Sequence, residues 1–214
     1  MTLSFTPAGY TDKENLENFL LTEISDAFDT QLNIWIAAAE RFIDQKTGRS
    51  FVAETATKKF DGNDKNTLFV PDLLSVTSLT ISDTALTSSE YHLYPANTTP
   101  KNWIKLDWGR TASSFEYDQQ NVVIVGSWGY SETAPADIVL AATMLVAATI
   151  EISREGGIAI SQSLGSYSVS FEEIVSRNRF LQDTLERYKK PGLATIVGEP
   201  EAPWRLKDVS DTSD

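Results

Sequence analysis

His92 is the only histidine in the chain and the first residue to consider as a catalytic group. It lies between Tyr91 and Tyr94, in a segment that we predict to be a strand. The chain contains no cysteine, which excludes a thiolate nucleophile, a disulfide and a cysteine zinc site. A catalytic base needs an activated partner within hydrogen-bonding reach, and the sequence indicates none. We therefore predict that His92 is not catalytic.

The acidic residues show no arrangement typical of a metal site or a catalytic site. The loop at residues 61–64 resembles the start of a calcium loop, but its sixth position is Asn66 instead of glycine and its twelfth is Asp72 instead of glutamate. Glu172 and Glu173 are adjacent acids of the kind that is usually solvated. No nucleotide-binding or nucleophile-elbow motif occurs. We predict that the protein is not an enzyme and uses no cofactor or metal.

The five tryptophans are the residues most suggestive of a ligand. Trp103, Trp108 and Trp128 fall in the middle of the chain, where exposed indole rings could stack on sugars. A carbohydrate-binding module or an adhesin therefore stays open as an alternative function. We favour the interpretation that these rings fill a core or an interface, because indoles are usually buried.

Composition indicates an ordinary globular protein with an acidic surface. The chain has 214 residues, of which 41% are hydrophobic and 22% charged. Its formal net charge of −12 repels the phosphates of DNA and anionic membranes, so we expect no specific DNA binding and no membrane association. Residues 1–10 lack the basic start and apolar run of a signal peptide, and the absence of cysteine favours synthesis in the cytoplasm.

Three of the predicted helices lie before residue 156. Residues 11–21 predict a short helix, and residues 29–47 predict a longer one that ends at Gly48. Residues 135–155 form the most apolar element. Its apolar run, residues 138–152, is shorter than the ~20 residues that a bilayer requires, so we predict a buried central helix.

From residue 51 to residue 130 the pattern changes to that of strands. Short runs of β-branched and aromatic residues alternate with turn residues. We expect Pro71-Asp72 to end the first strand, and residues 121–125 to be buried on both faces. The predicted strands are residues 67–70, 76–81, 91–94, 103–106 and 121–125.

The last part of the chain predicts one helix between two irregular segments. Residues 158–175 form a long connection, in which Tyr167, Val169 and Phe171 alternate as in a strand or hairpin. Residues 193–214 form a tail. The final helix is predicted at residues 177–190 with its apolar side chains facing inward, namely Phe180, Leu181, Leu185 and Tyr188. The chain as a whole predicts an α+β fold.

Three groups of residues, taken in order, form the most specific pattern in the chain. The first is AERFID (39–44) with TGRSF (47–51), and the second is LFVPD (68–72) with VTSL (76–79). The third is VVIVG (122–126), WGY (128–130) and PADI (135–138), followed by an alanine-rich helix that ends in EISRE (151–155). In order and spacing, these groups resemble the head–tail connector, or adaptor, proteins of tailed phages and prophages.

This resemblance implies a small helical bundle with an inserted strand-rich region. The helical connector core would comprise residues 1–50 and 131–192, the insertion residues 51–130, and the C-terminal tail residues 193–214. Subunits would form a ring, dodecameric by analogy, beneath the portal protein. The ring would extend the DNA channel in the virion neck and join the capsid to the next neck or tail-completion protein. This family has no catalytic residues, so the resemblance implies none in this chain.

The two segments without helical periodicity are the expected assembly interface. A ring of identical subunits needs a head-to-tail interface that closes, and these segments are too long to be simple connectors. Their apolar anchors are Leu164, Tyr167 and Phe171 in the connection and Ile196 and Trp204 in the tail.

Overall fold

The computed structural model describes residues 9–154 and 164–190, apart from the side chains of residues 164–170. Within these residues the chain forms α-helices and one antiparallel sheet, which confirms the predicted α+β class. The helices are α1 (Lys13–Leu20), α2 (Asp29–Thr47), α3 (Ala136–Arg154), α4 (Leu164–Arg177) and α5 (Arg179–Tyr188), with a 3-10 helix at Asp26–Phe28. The strands are β1 (Glu54–Phe60), β2 (Thr67–Ile81), β3 (Thr84–Leu86), β4 (Tyr91–Tyr94), β5 (Lys101–Leu106) and β6 (Val122–Trp128).

Helix α3 lies at the centre of the helical part and contacts α1, α2, α4 and α5. Its alanines, Ala141 and Ala142, are fully buried, and such small side chains let neighbouring helices approach closely. Helix α2 matches its predicted bounds, and Gly48 caps it in the left-handed conformation with φ 69°. Leu16 of α1 and Leu185 of α5 complete the same core.

By length and composition alone, α3 could cross a membrane. It has 19 residues, and the mean hydropathy of its most apolar window is 1.7. Half of that window is buried inside the protein. Packing against four other helices accounts for the apolar sequence.

The strands form a second core of their own. Their order is β1-β6-β2-β5-β4, with β3 paired to β2, and every pairing is antiparallel. Fully buried and partly exposed residues alternate along β6, so the prediction that residues 121–125 are buried on both faces is wrong. Strand β1 was missed because ETATKKF carries few apolar residues, as an edge strand can.

Strand β2 shows that Pro71 does not end a strand, contrary to prediction. The strand runs through the proline for 15 residues. Its register against β5 shifts between Phe69 and Leu73, and such irregularities tolerate a residue that lacks a backbone donor. Further along, Gly126 of β6 lies so close to β2 that a Cβ atom would be 2.3 Å from the Ser75 carbonyl oxygen.

The C-terminal helices correct two predictions. The alternation over residues 167–171 is not a strand or hairpin but part of α4, whose Phe171 is buried. Asn178 separates α4 from α5 and caps α5, since its Oδ1 accepts a hydrogen bond from the Leu181 amide at 3.2 Å. Phe180 is 38% exposed instead of facing inward.

The centre of α3 should not tolerate a charge. Ala142→Asp places a carboxylate where the native side chain is fully buried and should lower the free energy of unfolding by at least ~3 kcal/mol. Leu140→Asp on the exposed side of the same helix is the matched control, because Leu140 is 40% exposed. Urea denaturation checks both. Equal stability of the two variants would contradict the central position of this face.

Candidate assembly site

His92, the residue considered as a catalytic base, lies on the surface of the sheet part. His92 Nε2 is 2.9 Å from Asp107 Oδ1, a partner that sequence reasoning missed, and the His92 side chain is 58% exposed. An ion pair so open to water contributes little. Among the described residues, no cluster of three histidines or acids could hold a metal ion.

The acidic loop at residues 61–64 uses its carboxylates to shape the chain. Asp61 Oδ1 accepts a hydrogen bond from the Gln120 amide at 2.7 Å, and Asp64 Oδ1 accepts one from the Tyr117 amide at 2.9 Å. These bonds fasten the loop to the connection before β6. The carboxylates therefore act as acceptors for backbone amides, as in ordinary turns.

One buried ion pair joins the helices to the sheet. Arg49 Nη1 lies 2.8 Å from both carboxylate oxygens of Asp72, and Asp72 is only 5% exposed. Arg49 Nε donates to the Tyr188 carbonyl at 2.7 Å, and the guanidinium lies over the Tyr130 ring at 5.3 Å. Lys190 Nζ approaches Asp72 at 3.5 Å. We call these five residues the Arg49 junction.

The N-terminal segment is held on α2 by two acids one helical turn apart. The Glu40 carboxylate accepts hydrogen bonds from the amides of Gly9 and Tyr10 at 2.9 and 2.7 Å. The Tyr10 hydroxyl donates to Asp44 at 2.5 Å and accepts from the Phe51 amide at 2.7 Å. Burial raises the pKa of the Asp44 carboxyl to about 6, and the neighbouring Glu40 charge adds to the rise.

A row of aromatic side chains crosses one face of the sheet. Phe69, Trp103 and Tyr94 lie opposite one another on β2, β5 and β4. The Trp103 and Tyr94 rings stack at 4.1 Å with an angle of 7° between their planes, and Phe69 is 74% exposed. Trp103 and Tyr94 are half-buried, and the exposed Phe69 makes this row a candidate surface for binding another molecule. We call these three residues the aromatic row.

A cavity of about 280 Å³ opens between the start of α2 and the end of α3. Its apolar wall includes Phe28, Leu32, Trp35 and Ile150, and charged residues at its rim include Glu23 and Arg154. The Trp35 side chain is buried, yet its Nε1 has no hydrogen-bond partner among the described residues. We call this space the Trp35 cavity; no sequence pattern predicted it.

The structure places three of the five predicted interface residues. Leu164 and Tyr167 lie on α4, and their side chains are outside the description. Phe171 is buried, with its ring 5.4 Å from that of Phe42. Ile196 and Trp204 lie outside the described residues. The predicted interface as a whole stays a prediction.

The tryptophans of the sheet part differ in their surroundings. Trp128 is buried, and its Nε1 donates to the Ala56 carbonyl at 2.9 Å, so it is a core residue. Trp103 belongs to the aromatic row. Trp108 is 88% exposed on the connection after β5. Of these three tryptophans, only Trp103 and Trp108 are therefore accessible to a ligand.

The fold is shared with solved chains of gene transfer agent particles. A chain in the neck of an empty particle, computed with C6 symmetry, is 15% identical, with a TM-score of 0.56 over 90% of this chain and 95% of that chain. A chain in the virion of a native particle is 17% identical, with a TM-score of 0.51 over 88% of this chain and 91% of that chain. A chain from the neck of a native particle, computed with C12 symmetry, is 16% identical. Its TM-score is 0.49 over 90% of this chain and 95% of that chain.

Residues 11–149 match the family described as head completion protein. None of the curated proteins compared with the chain matches it. The family match runs from just before α1 through the whole sheet and most of α3. The chain therefore belongs to the head completion protein family. The predicted resemblance to head–tail connectors is confirmed, and the protein acts as a structural connector between head and tail.

Breaking the Arg49 junction should destabilise the whole fold. Arg49→Met leaves Asp72 buried with only the more distant Lys190, at an expected cost of about 3 kcal/mol in the free energy of unfolding. Arg177→Met is the control, because its ion pair with Glu173 is exposed and should contribute under ~0.5 kcal/mol. Equal losses in chemical denaturation would contradict the junction's role.

The raised pKa of Asp44 should make stability depend on pH. The folded protein holds this proton up to about pH 6, whereas an unfolded aspartate loses it near ~4. The carboxyl's contribution to stability therefore falls as pH rises from about 4 to 7. Asp44→Asn keeps an acceptor for Tyr10 without the charge.

The variant's stability relative to the native protein should thus rise by about 2 kcal/mol across that range. Urea unfolding of both proteins at pH 4 and pH 7 measures the change. Asp183→Asn, at an exposed position on α5, is the matched control for the same chemical change. A constant difference for Asp44→Asn would show that the carboxyl has a normal pKa.

Proposed function

We propose that this protein forms a closed ring beneath the portal protein, where it extends the DNA channel and joins the capsid to the tail. The observation that carries this proposal is the family match over residues 11–149, which includes both the helices and the sheet. It is supported by the likeness to a chain of a gene transfer agent neck that was computed with C6 symmetry. Twelve subunits, the expected number, are compatible with sixfold symmetry.

The proposed parts of the subunit follow its two hydrophobic cores. Residues 1–50 and 131–192 form the connector core, a small helical bundle, and residues 51–130 form the insertion. This division is supported by a helical cluster that is separate from the cluster of the sheet. The aromatic row then lies on the insertion, as a surface for a neighbouring subunit or for the next neck or tail-completion protein.

The proposed assembly interface keeps the predicted residues in two roles. Leu164 and Tyr167 contact a neighbouring subunit from α4, while Phe171 fixes α4 on the core through its contact with Phe42. Ile196 and Trp204 of the tail supply contacts beyond the core. Such an interface is head-to-tail, which is the type that closes into a ring.

The acidic charge suits a passage for DNA. A conduit must let its cargo slide, and a net charge of −12 disfavours a grip on phosphates. The protein would be synthesised in the host cytoplasm and reside in the virion neck, with a structural and not an enzymatic role. Carbohydrate binding remains the alternative, favoured only by the aromatic row and Trp108. Titration of tryptophan fluorescence with oligosaccharides tests it.

Removing the gene tests the proposed connector role. Cells that produce every other particle protein should accumulate separate heads and tails, and supplying the chain from a plasmid should restore joined particles. Complementation with His92→Ala should succeed as well, because the proposed role is not enzymatic. Joined, infectious particles in the absence of the chain would overturn the proposal.

Truncation after Gly192 should separate folding from attachment. Helix α5 ends at Tyr188, and the Lys190 amide is already bonded to the Thr47 carbonyl at 2.7 Å, so the melting temperature should change little. Attachment to heads should be lost, since Ile196 and Trp204 are removed. Differential scanning fluorimetry and electron microscopy of particles measure the two effects. Infectious particles from this truncation would remove the tail from the interface.

A further inference from the structure

The Trp35 cavity has the features of a site that is missing its occupant. Its wall is largely apolar and includes Phe28, Leu32, Trp35 and Ile150. An apolar side chain that fills such a space removes apolar surface from water, so an apolar occupant is favoured. At about 280 Å³ the cavity suits one large side chain with its adjoining backbone.

The cavity and the start of the tail lie at opposite ends of α2. The Lys190 amide bonds to the Thr47 carbonyl, so the tail begins at the C-terminal end of this helix. Trp35, in the cavity wall, is twelve residues earlier, or about 18 Å along the axis. The cavity and the start of the tail are therefore two different surfaces on separate parts of one subunit. A head-to-tail ring requires two such different surfaces.

The tail contains a segment whose charges complement the rim. Glu201 and Arg205 flank Trp204, while Arg154 and Glu23 lie beside the apolar wall. Both rim residues are exposed; Arg154 also pairs with Glu151 at 2.9 Å. Trp204 lies fourteen residues beyond Lys190, a span of up to ~45 Å when extended. That span is more than twice the about 18 Å along α2 from the start of the tail to Trp35, so the tail can extend beyond its own subunit.

We propose that the Trp35 cavity binds the tail of a second copy of this chain, with the indole of Trp204 filling it. Glu201 and Arg205 of the tail face Arg154 and Glu23 of the cavity rim. Each subunit holds the tail of the next, so the contact repeats around the ring. The inference rests on the ring proposed above and assigns its acceptor site.

A labelled peptide tests the cavity directly. The peptide covers residues 193–214, and it is added to full-length protein carrying Trp204→Ala, while fluorescence anisotropy reports binding. Saturable binding is expected, and a peptide with Trp204→Ala should not bind.

Two exposed phenylalanines provide a matched pair of variants. Phe28→Ala removes a ring from the cavity wall, where the side chain is 59% exposed, and should weaken binding at least tenfold. Phe69→Ala removes a ring from the aromatic row and should leave binding unchanged. The inference is overturned if Phe28→Ala leaves binding unchanged, or if the peptide with Trp204→Ala still binds.

Two single-cysteine variants identify the subunit that supplies the tail. Because the chain has no cysteine, a mixture of Ser153→Cys and Ala202→Cys can form a mixed disulfide only between two copies. Enrichment of the mixed dimer over a control mixture with Thr111→Cys supports the inference. An intramolecular bond in the double variant, without mixed dimers, overturns it by placing the tail in its own subunit.

Native mass spectrometry of the same samples separates this inference from the proposed function. Rings without the mixed disulfide and without peptide binding leave the proposed function standing and overturn the cavity assignment. Peptide binding and the mixed disulfide in samples without rings support the cavity assignment, and the gene-removal experiment then decides the proposed function.

Discussion

The structure depends on the buried ion pair between Arg49 and Asp72. The helices and the sheet have separate hydrophobic cores, so apolar packing alone does not set one part against the other. Arg49 follows α2 directly, Asp72 lies in the middle of β2, and the same guanidinium holds the end of α5 through the Tyr188 carbonyl. A buried charge pair is costly unless fully bonded, and it therefore favours one arrangement over others. The ion pair between Arg49 and Asp72 therefore fixes the positions of the surfaces at both ends of α2.

The sequence predicted elements whose periodicity is strong and uninterrupted. Helix α2 was predicted over its observed range, and α3 was recognised from its apolar run. Local rules failed where tertiary contacts decide. Pro71 lies inside β2 because a register shift accommodates it, and residues 167–171 are helical although their apolar residues alternate. Phe180 was predicted to lie on the inner face, but Leu181 and Leu185 occupy it.

The candidate site was less predictable than the fold. The order of short motifs indicated the family, because AERFID, LFVPD and PADI fall on α2, β2 and the start of α3. The aromatic row depends on the register between β2, β5 and β4, and the Trp35 cavity on how α2 packs against α3. Neither register nor packing can be read from spacing along one chain. Arg49 lies in the motif TGRSF, but its partner Asp72 is 23 residues away, so spacing along the chain does not reveal the pair.

Cryo-electron microscopy of the neck in intact particles tests the central claim most directly. The account predicts a closed ring of this chain between the portal protein and the next neck component, with the helical part continuous around the DNA channel. A reconstruction that places the chain elsewhere in the particle, or as isolated subunits that do not enclose the channel, would contradict it.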